Sequence, residues 1–302
     1  MEYYSDILST IGNTPMLQFA HLGAGAVFAK AEFLNPGGSI KDRVAKHIVA
    51  TAEHEGDLRE GMTIIEATSG NTGIGVAFVG VRKGYRVVIV MPEDMSDERK
   101  KIIRALGAEL VLTPAAESIQ GAVDRTREII AADPGKHFLV NQFKNPHNPE
   151  IHYRTTGPEI WRQMEGHVDA FVAGVGSGGT LGGVGKFLKD YDKRVHIVAV
   201  EPANSAALLG HEPGLHQIQG IGDGFVPEVL DVSLIDEILT VTDDEAVETT
   251  RRLAATEGAL CGTSSGANVH AALRVTETLG PGNNVVTVLP DRAERYFSTA
   301  LI

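Results

Sequence analysis

Asn35-Pro36-Gly37-Gly38-Ser39-Ile40-Lys41-Asp42-Arg43 runs a Pro-Gly-Gly turn into a helix expected over Asp42 to His54, and delivers one lysine to the helix start. A cation is electrostatically misplaced there, because the N-terminal end of a helix carries partial positive charge. Most lysines are solvated surface groups. The functional alternative is an amine whose pKa is lowered from about 10.4, so that it can form a Schiff base with an aldehyde cofactor. How this junction is read decides both the architecture around it and the chemistry.

Outward from the turn, strands and helices alternate. Short runs rich in Val, Ile and Leu read as strands at Thr63 to Ala67, Arg86 to Met91, Glu109 to Leu112, Phe138 to Val140, Ala170 to Ala173, His196 to Val200 and Asn284 to Leu289. They are apolar without alternation, as strands covered on both faces must be. Amphipathic helical patterns lie between most of them: Gly73 to Lys83, Glu98 to Leu106, Ile119 to Ala132, Thr180 to Lys189, Asp243 to Thr256 and Gly266 to Leu279. Thr156-Gly157-Pro158-Glu159 and Thr242-Asp243-Asp244-Glu245 have capping-box spacing, which marks two helix starts. Such alternation predicts an α/β fold with mostly parallel sheets flanked by helices. Prolines at Asn145-Pro146-His147-Asn148-Pro149 interrupt both patterns and divide the chain into subdomains 1–145 and 146–302.

With 302 residues, 43% of them apolar and 22% charged, the chain can bury a large core. A net charge of −12 without a basic stripe argues against nucleic acid. The start Met1-Glu2-Tyr3-Tyr4-Ser5-Asp6 lacks the basic flank and apolar run of a signal peptide. No stretch approaches the ~18 apolar residues of a membrane span, so a cytoplasmic protein is expected. The single Cys261 cannot make an intramolecular disulfide; it reads as a small core residue, not a nucleophile. His147 and His152 lack acidic or cysteine ligands in ordered spacing, so no metal is expected.

Two glycine loops remain. Thr68-Ser69-Gly70-Asn71-Thr72-Gly73 joins a strand to a helix and offers hydroxyls and free N–H groups to an anion such as a carboxylate. Gly174-Val175-Gly176-Ser177-Gly178-Gly179-Thr180 does the same, with glycines that let backbone approach a phosphate. Gly174, Gly176 and Gly179 also satisfy G-x-G-x-x-G, and Glu201 ends the next strand where a ribose-binding acid belongs. A nicotinamide-dependent dehydrogenase therefore stays open, although it leaves Lys41 and the first loop without a task. Pyridoxal 5'-phosphate uses all three elements: an amine, a phosphate cup and a carboxylate nest.

These motifs, with Ile11-Gly12-Asn13-Thr14-Pro15, Asn141-Gln142-Phe143, His152 to Trp161, Gln219-Gly220-Ile221-Gly222 and Glu294 to Thr299, resemble the cysteine synthase (O-acetylserine sulfhydrylase) family of fold type II, tryptophan synthase β-like, pyridoxal phosphate enzymes. The resemblance implies two three-layer αβα subdomains, with a segment near 13–34 pairing with the second. It implies that Lys41 forms the internal Schiff base and moves the Cα proton. Asn71 is then expected at the ring hydroxyl, Gly176, Ser177, Gly178, Gly179 and Thr180 at the phosphate, and Ser264 at the pyridine nitrogen. Thr68, Ser69, Gly70, Thr72 and Gln142 are expected to bind the substrate carboxylate. The implied reaction is β-replacement, making cysteine from O-acetylserine or another activated serine and sulfide through an aminoacrylate. A homodimer and docking of a serine acetyltransferase tail are implied too. In Gly220-Ile221-Gly222-Asp223-Gly224, Asp223 replaces the family's usual small apolar residue and leaves the donor open; the plain alternative is an exposed loop carboxylate. A cystathionine β-synthase-like or other β-replacement with a different nucleophile, and a catalytically silent pyridoxal phosphate-binding module, are the other readings.

Overall fold

The computed structural model describes residues 3–22 and 26–299. Met1, Glu2 and residues 23–25 of the 13–34 segment lie outside the described residues.

In chain order the strands are β1 (Met16–Gln18), β2 (Val27–Lys30), β3 (Thr63–Ala67), β4 (Arg86–Pro92), β5 (Glu109–Thr113), β6 (His137–Leu139), β7 (Ala170–Gly174), β8 (His196–Pro202), β9 (Glu237–Val241) and β10 (Val285–Val288). The helices are α1 (Lys41–Glu55), α2 (Asn71–Arg82), α3 (Asp97–Ala105), α4 (Ser118–Ala132), α5 (His147–Ile151), α6 (Gly157–Gln163), α7 (Gly179–Tyr191), α8 (Asp243–Glu257) and α9 (Thr263–Leu279). They build two sheets. The smaller has order β5-β4-β3-β6 and is wholly parallel; the larger has order β1-β2-β10-β7-β8-β9, with only β1 antiparallel to its neighbour.

Both sheets are covered on both faces, which is why their central strands carry no polar alternation. In the smaller sheet, Ile64, Val87, Ile89 and Met91 pack against α1, α2 and Ile103 of α3, while Ile65, Val88 and Val90 face Ala122 of α4. In the larger sheet, Ala170, Val172, Val198 and Val200 pack against α8 and α9. Phe171, Ala173, Ile197 and Ala199 turn to α6 and α7. Burial on this scale contributes about 1.5–3 kcal/mol for each large aliphatic side chain. The edge strands β5 and β6 are only partly covered.

Two local expectations need correction. Thr156 does not cap α6: its side chain bonds His152 Nδ1 at 2.9 Å. It lies in a π-helical turn over His152–Thr156 that runs straight into the helix. The second capping box is real, with Thr242 and Glu245 exchanging bonds at the start of α8. The sequence reading also passed over β1, β2 and β9.

The position of α1 is set by charge as well as packing. Arg43 reaches Glu32 at 2.8 Å and Glu159 at 2.6 Å, and Lys30 of β2 reaches Glu159 at 2.8 Å. This buried network joins α1 to β2 and α6. Burial raises the pKa of both acids, but the Arg43 guanidinium and its hydrogen bonds prevail and hold them below the usual range. Such a network orients more than it stabilises, since desolvation offsets most of its attraction. Gly75 completes the arrangement: a Cβ there would stand 2.8 Å from the Lys41 carbonyl oxygen, so only glycine lets α2 come this close.

Candidate active site

The Pro-Gly-Gly turn is clasped from two sides. Asp42 accepts from the Gly37 N–H at 2.6 Å, and Arg295 donates to the Gly37 and Gly38 carbonyls. Lys41 thereby starts α1 at the wall of a cleft that holds about 830 Å³ of space, open mouth included. The loop Thr68 to Thr72 forms another wall, reaching the cleft from the C-terminal end of β3; Gly174 to Thr180 enters from the C-terminal end of β7. Ser264, in the first turn of α9, faces it too. Lys41, Asn71, Gly176, Ser177, Gly178, Thr180, Ser264, Thr68, Ser69, Gly70, Thr72 and Gln142 all line the cleft. Gly179 alone of the expected residues does not: it packs against Asn148, whose Oδ1 lies 2.0 Å from where a Cβ would stand.

Lys41 Nζ donates to Ser177 Oγ at 3.2 Å. Burial lowers its pKa; the carboxylates of Asp223 and Asp291 oppose this without cancelling it. Asp223 is exposed at the cleft mouth, yet its loop lines the cavity. Desolvation by the surrounding walls raises its pKa against the pull of Lys41 and His216. Asp223 is thus the exposed loop carboxylate of the plain reading, and it also lines the cleft.

Supporting contacts fix these groups. Asn71 Nδ2 donates to Asp291 Oδ2 at 2.6 Å, and Tyr296 donates its hydroxyl to the same oxygen at 2.5 Å. Thr72 Oγ1 donates to Gln142 Oε1 at 2.6 Å. Asn148 donates to the Gln142 carbonyl at 2.8 Å and to Ser177 Oγ at 3.0 Å. Buried Glu66 accepts from the N–H groups of Asn141 at 2.8 Å and Gln142 at 3.3 Å, holding a turn in which Asn141 has φ +54°. Its burial outweighs those bonds and pushes its pKa up to about 7. Asn268 accepts from the Gly174 N–H at 2.7 Å. Sequence reasoning missed Glu66, Asn148, Asn268 and Asp291, because no local pattern marks them.

Two observations test whether pyridoxal phosphate fits. Asn71 Oδ1 is buried with no hydrogen-bond partner, at the cleft wall where a ring hydroxyl can donate. A Cβ on Gly176 would lie 2.3 Å from the Gly220 carbonyl oxygen, so the loop is drawn in as a backbone cradle that no larger residue can form. The residues fit the group. The nicotinamide reading fares worse. Glu201 turns away and accepts from the Leu208 N–H at 3.0 Å, and it is not among the cleft-lining residues.

Away from the cleft, Cys261 is buried and its thiol is pushed up to about 12 by desolvation. His152 is buried, which holds its pKa well below the ordinary value. The expectation that no acid attends His147 is corrected: Glu150 Oε2 stands 2.7 Å from His147 Nδ1.

Two covered, mostly parallel sheets, with ligand loops at strand ends and a half-buried lysine between them, define an α/β enzyme that binds a small anionic cofactor. The chain belongs to the pyridoxal-phosphate dependent enzyme family, whose model matches residues 7–291. Cysteine synthase from Staphylococcus aureus (strain N315) is 49% identical over 300 residues, covering 98% of this chain and 96% of that protein. Among solved structures, cysteine synthase from Entamoeba histolytica superposes with a TM-score of 0.94 at 42% identity, covering 99% of this chain and 91% of that one. O-ureido-L-serine synthase superposes with a TM-score of 0.96 at 44% identity, covering 99% and 95%.

Proposed function

We propose that this enzyme synthesises L-cysteine by pyridoxal phosphate-dependent β-replacement, from O-acetyl-L-serine or another activated serine and sulfide. The observation that carries the reading is the convergence of four helix starts on one cleft around a single lysine: Lys41 of α1, Asn71 of α2, Thr180 of α7 and Ser264 of α9. Helix N-termini attract anions, and the ligands required here are a phosphate and a carboxylate.

Bound in the cleft, pyridoxal phosphate supplies an aldehyde for an amine and a ring that withdraws electrons from the substrate Cα. Lys41 Nζ holds the cofactor and then takes the proton from Cα; burial keeps its amine available as a base. Thr68, Ser69, Gly70, Thr72 and Gln142 bind the substrate carboxylate and so fix the Cα–H bond relative to Nζ, a positioning contribution. Gly176, Ser177, Gly178 and Thr180 would hold the phosphate, Asn71 Oδ1 would accept from the ring hydroxyl, and the Ser264 hydroxyl would meet the ring nitrogen. A neutral hydroxyl there limits electron withdrawal, which favours loss of a β-substituent over transamination.

The work divides between unit 1–145, without the β1–β2 segment, and unit 146–302 with that segment. A cytoplasmic homodimer that accepts a serine acetyltransferase tail completes the proposal. Among the described residues no helix is long and apolar enough to cross a membrane. Asp223 favours a second reading, in which the nucleophile is a thiol other than sulfide, as in a cystathionine β-synthase. A carboxylate facing Lys41 across the mouth can meet a polar or cationic second substrate.

The test joins chemistry to position. Borohydride reduction of the yellow holoenzyme should fix the cofactor to the Lys41 peptide. Cysteine should form from O-acetylserine and sulfide, and Lys41→Ala should abolish turnover. A label on another lysine, or turnover surviving in that variant, sinks the proposal. A screen of β-substituted alanines against sulfide and homocysteine separates the two readings.

A further inference from the structure

Outside the cleft, the described residues contain a group of metal-ligating side chains whose donor atoms all lie within 4.8 Å of one another: His47, His147 and Glu150. His47 comes from α1, and the other two from α5. Glu150 Oε2 lies 3.1 Å from His47 Nε2 and 2.7 Å from His147 Nδ1. The rings meet edge to face with centroids 5.7 Å apart. Two imidazole nitrogens from different helices therefore aim at one carboxylate oxygen.

We propose that His47 Nε2, His147 Nδ1 and Glu150 Oε2 form a binding site for a divalent cation of the Zn²⁺ type, with solvent completing the coordination. Two imidazoles and one carboxylate suit borderline cations such as Zn²⁺, and three protein ligands with an open fourth position are a common zinc arrangement. The surroundings fit monodentate coordination. Arg154 occupies the other carboxylate oxygen, Glu150 Oε1, at 2.5 Å, leaving Oε2 for the metal. His147 Nε2, the ring nitrogen not assigned to the metal, faces Glu55 Oε2 at 3.8 Å. Metal-bound histidines commonly turn their second nitrogen to a carboxylate, which fixes ring orientation. All three side chains are partly exposed, at 16%, 25% and 30%, so the ion can enter from solvent.

The site joins two elements that the cleft also uses. Helix α1 begins at Lys41, and α5 carries Asn148, which bonds Ser177 and Gln142. A bound cation therefore pins α5 to α1 behind the cleft and stabilises the folded chain by mass action. Calorimetric titration of the holoenzyme with ZnCl2, without substrates, should show one equivalent bound per chain and a rise in melting temperature. His47→Gln and His147→Gln should each weaken binding at least about tenfold, whereas His270→Gln, at an α9 histidine beside Glu245 of α8, should leave it unchanged. Co²⁺ added to the unmutated holoenzyme should give the visible absorption of a low-coordinate nitrogen and oxygen site, a readout independent of whether variants fold. No saturable binding, binding that survives in both α1 and α5 histidine variants, or a purely six-coordinate Co²⁺ spectrum overturns the proposal.

Discussion

Replacing Glu66 by Gln should change how stability depends on pH, with a sign and a size fixed by the structure. Glu66 lies in β3, 2% exposed, and its pKa is pushed from an ordinary 4.5 to about 7 because burial outweighs the two N–H bonds it accepts. The folded protein therefore holds a proton on Glu66 over a range where the unfolded chain has released it. Stability from this group is full below about pH 4.5 and declines as pH rises to about 7, by about 3 kcal/mol in total. Asp42 is likewise pushed up to about 7 by burial, so it gives the same trend. It is present in both proteins and cancels from their difference. Gln keeps an acceptor for one N–H and turns an amide toward the other, a penalty that does not vary with pH. Urea unfolding of wild type and Glu66→Gln at about pH 5 and about pH 8.5 measures the difference directly. The variant should gain about 2–3 kcal/mol relative to wild type between the two, since part of the loss has already occurred by pH 5. A flat difference, or a variant that loses ground as pH rises, refutes the reasoning, because it means the carboxylate is favoured in place by its N–H partners.

Gly176→Ala should weaken pyridoxal phosphate binding about a hundredfold or more while leaving the circular dichroism spectrum intact, since its Cβ meets the Gly220 carbonyl oxygen at 2.3 Å and must drive the phosphate loop outward; absorbance titration of the apoprotein measures this, and unchanged affinity counts against the cradle. Asp223→Asn should move the pH dependence of cofactor loading to lower pH, because the carboxylate raises the Lys41 pKa and loading needs the neutral amine; a shift toward higher pH contradicts the electrostatic assignment.

The residues legible in the sequence are those whose chemistry is local. Asn35 to Arg43, Thr68 to Gly73 and Gly174 to Thr180 are turns whose glycines and hydroxyls must serve some backbone purpose, and the alternation around them gives covered parallel sheets. What stayed hidden depends on distant partners. Glu66 meets Asn141 and Gln142 across 75 and 76 positions, and Asn71 meets Asp291 across 220; neither acid stands in a pattern that announces this. The strands β1 and β2 are three and four residues long, too short for periodicity, and β9 is only partly buried. The misread capping box at Thr156 has a similar cause: S/T-x-x-E spacing is a local signal, and His152 took the hydroxyl first. The cluster of His47, His147 and Glu150 spans two helices about a hundred positions apart and had no sequence signature.

The electrostatics of Lys41 follow from the same long-range assembly. A lysine two residues from an arginine, at the start of a helix and beside three other helix starts, stands in a field that opposes its charged form. Were Arg43 unpaired, its charge would add to that field and draw anions to itself. Instead Glu32 and Glu159 neutralise it inside the protein. The anion-attracting potential of the cleft thus comes from helix dipoles and backbone N–H groups, which do not titrate, and not from a neighbouring side chain. Asp223 and Asp291 pull the other way on Lys41, and only Asp223 is open to solvent at the mouth. A ligand that covers or pairs with Asp223 removes part of the opposition to the neutral amine, so under the proposed function substrate binding and release of the Lys41 proton are coupled through that one carboxylate.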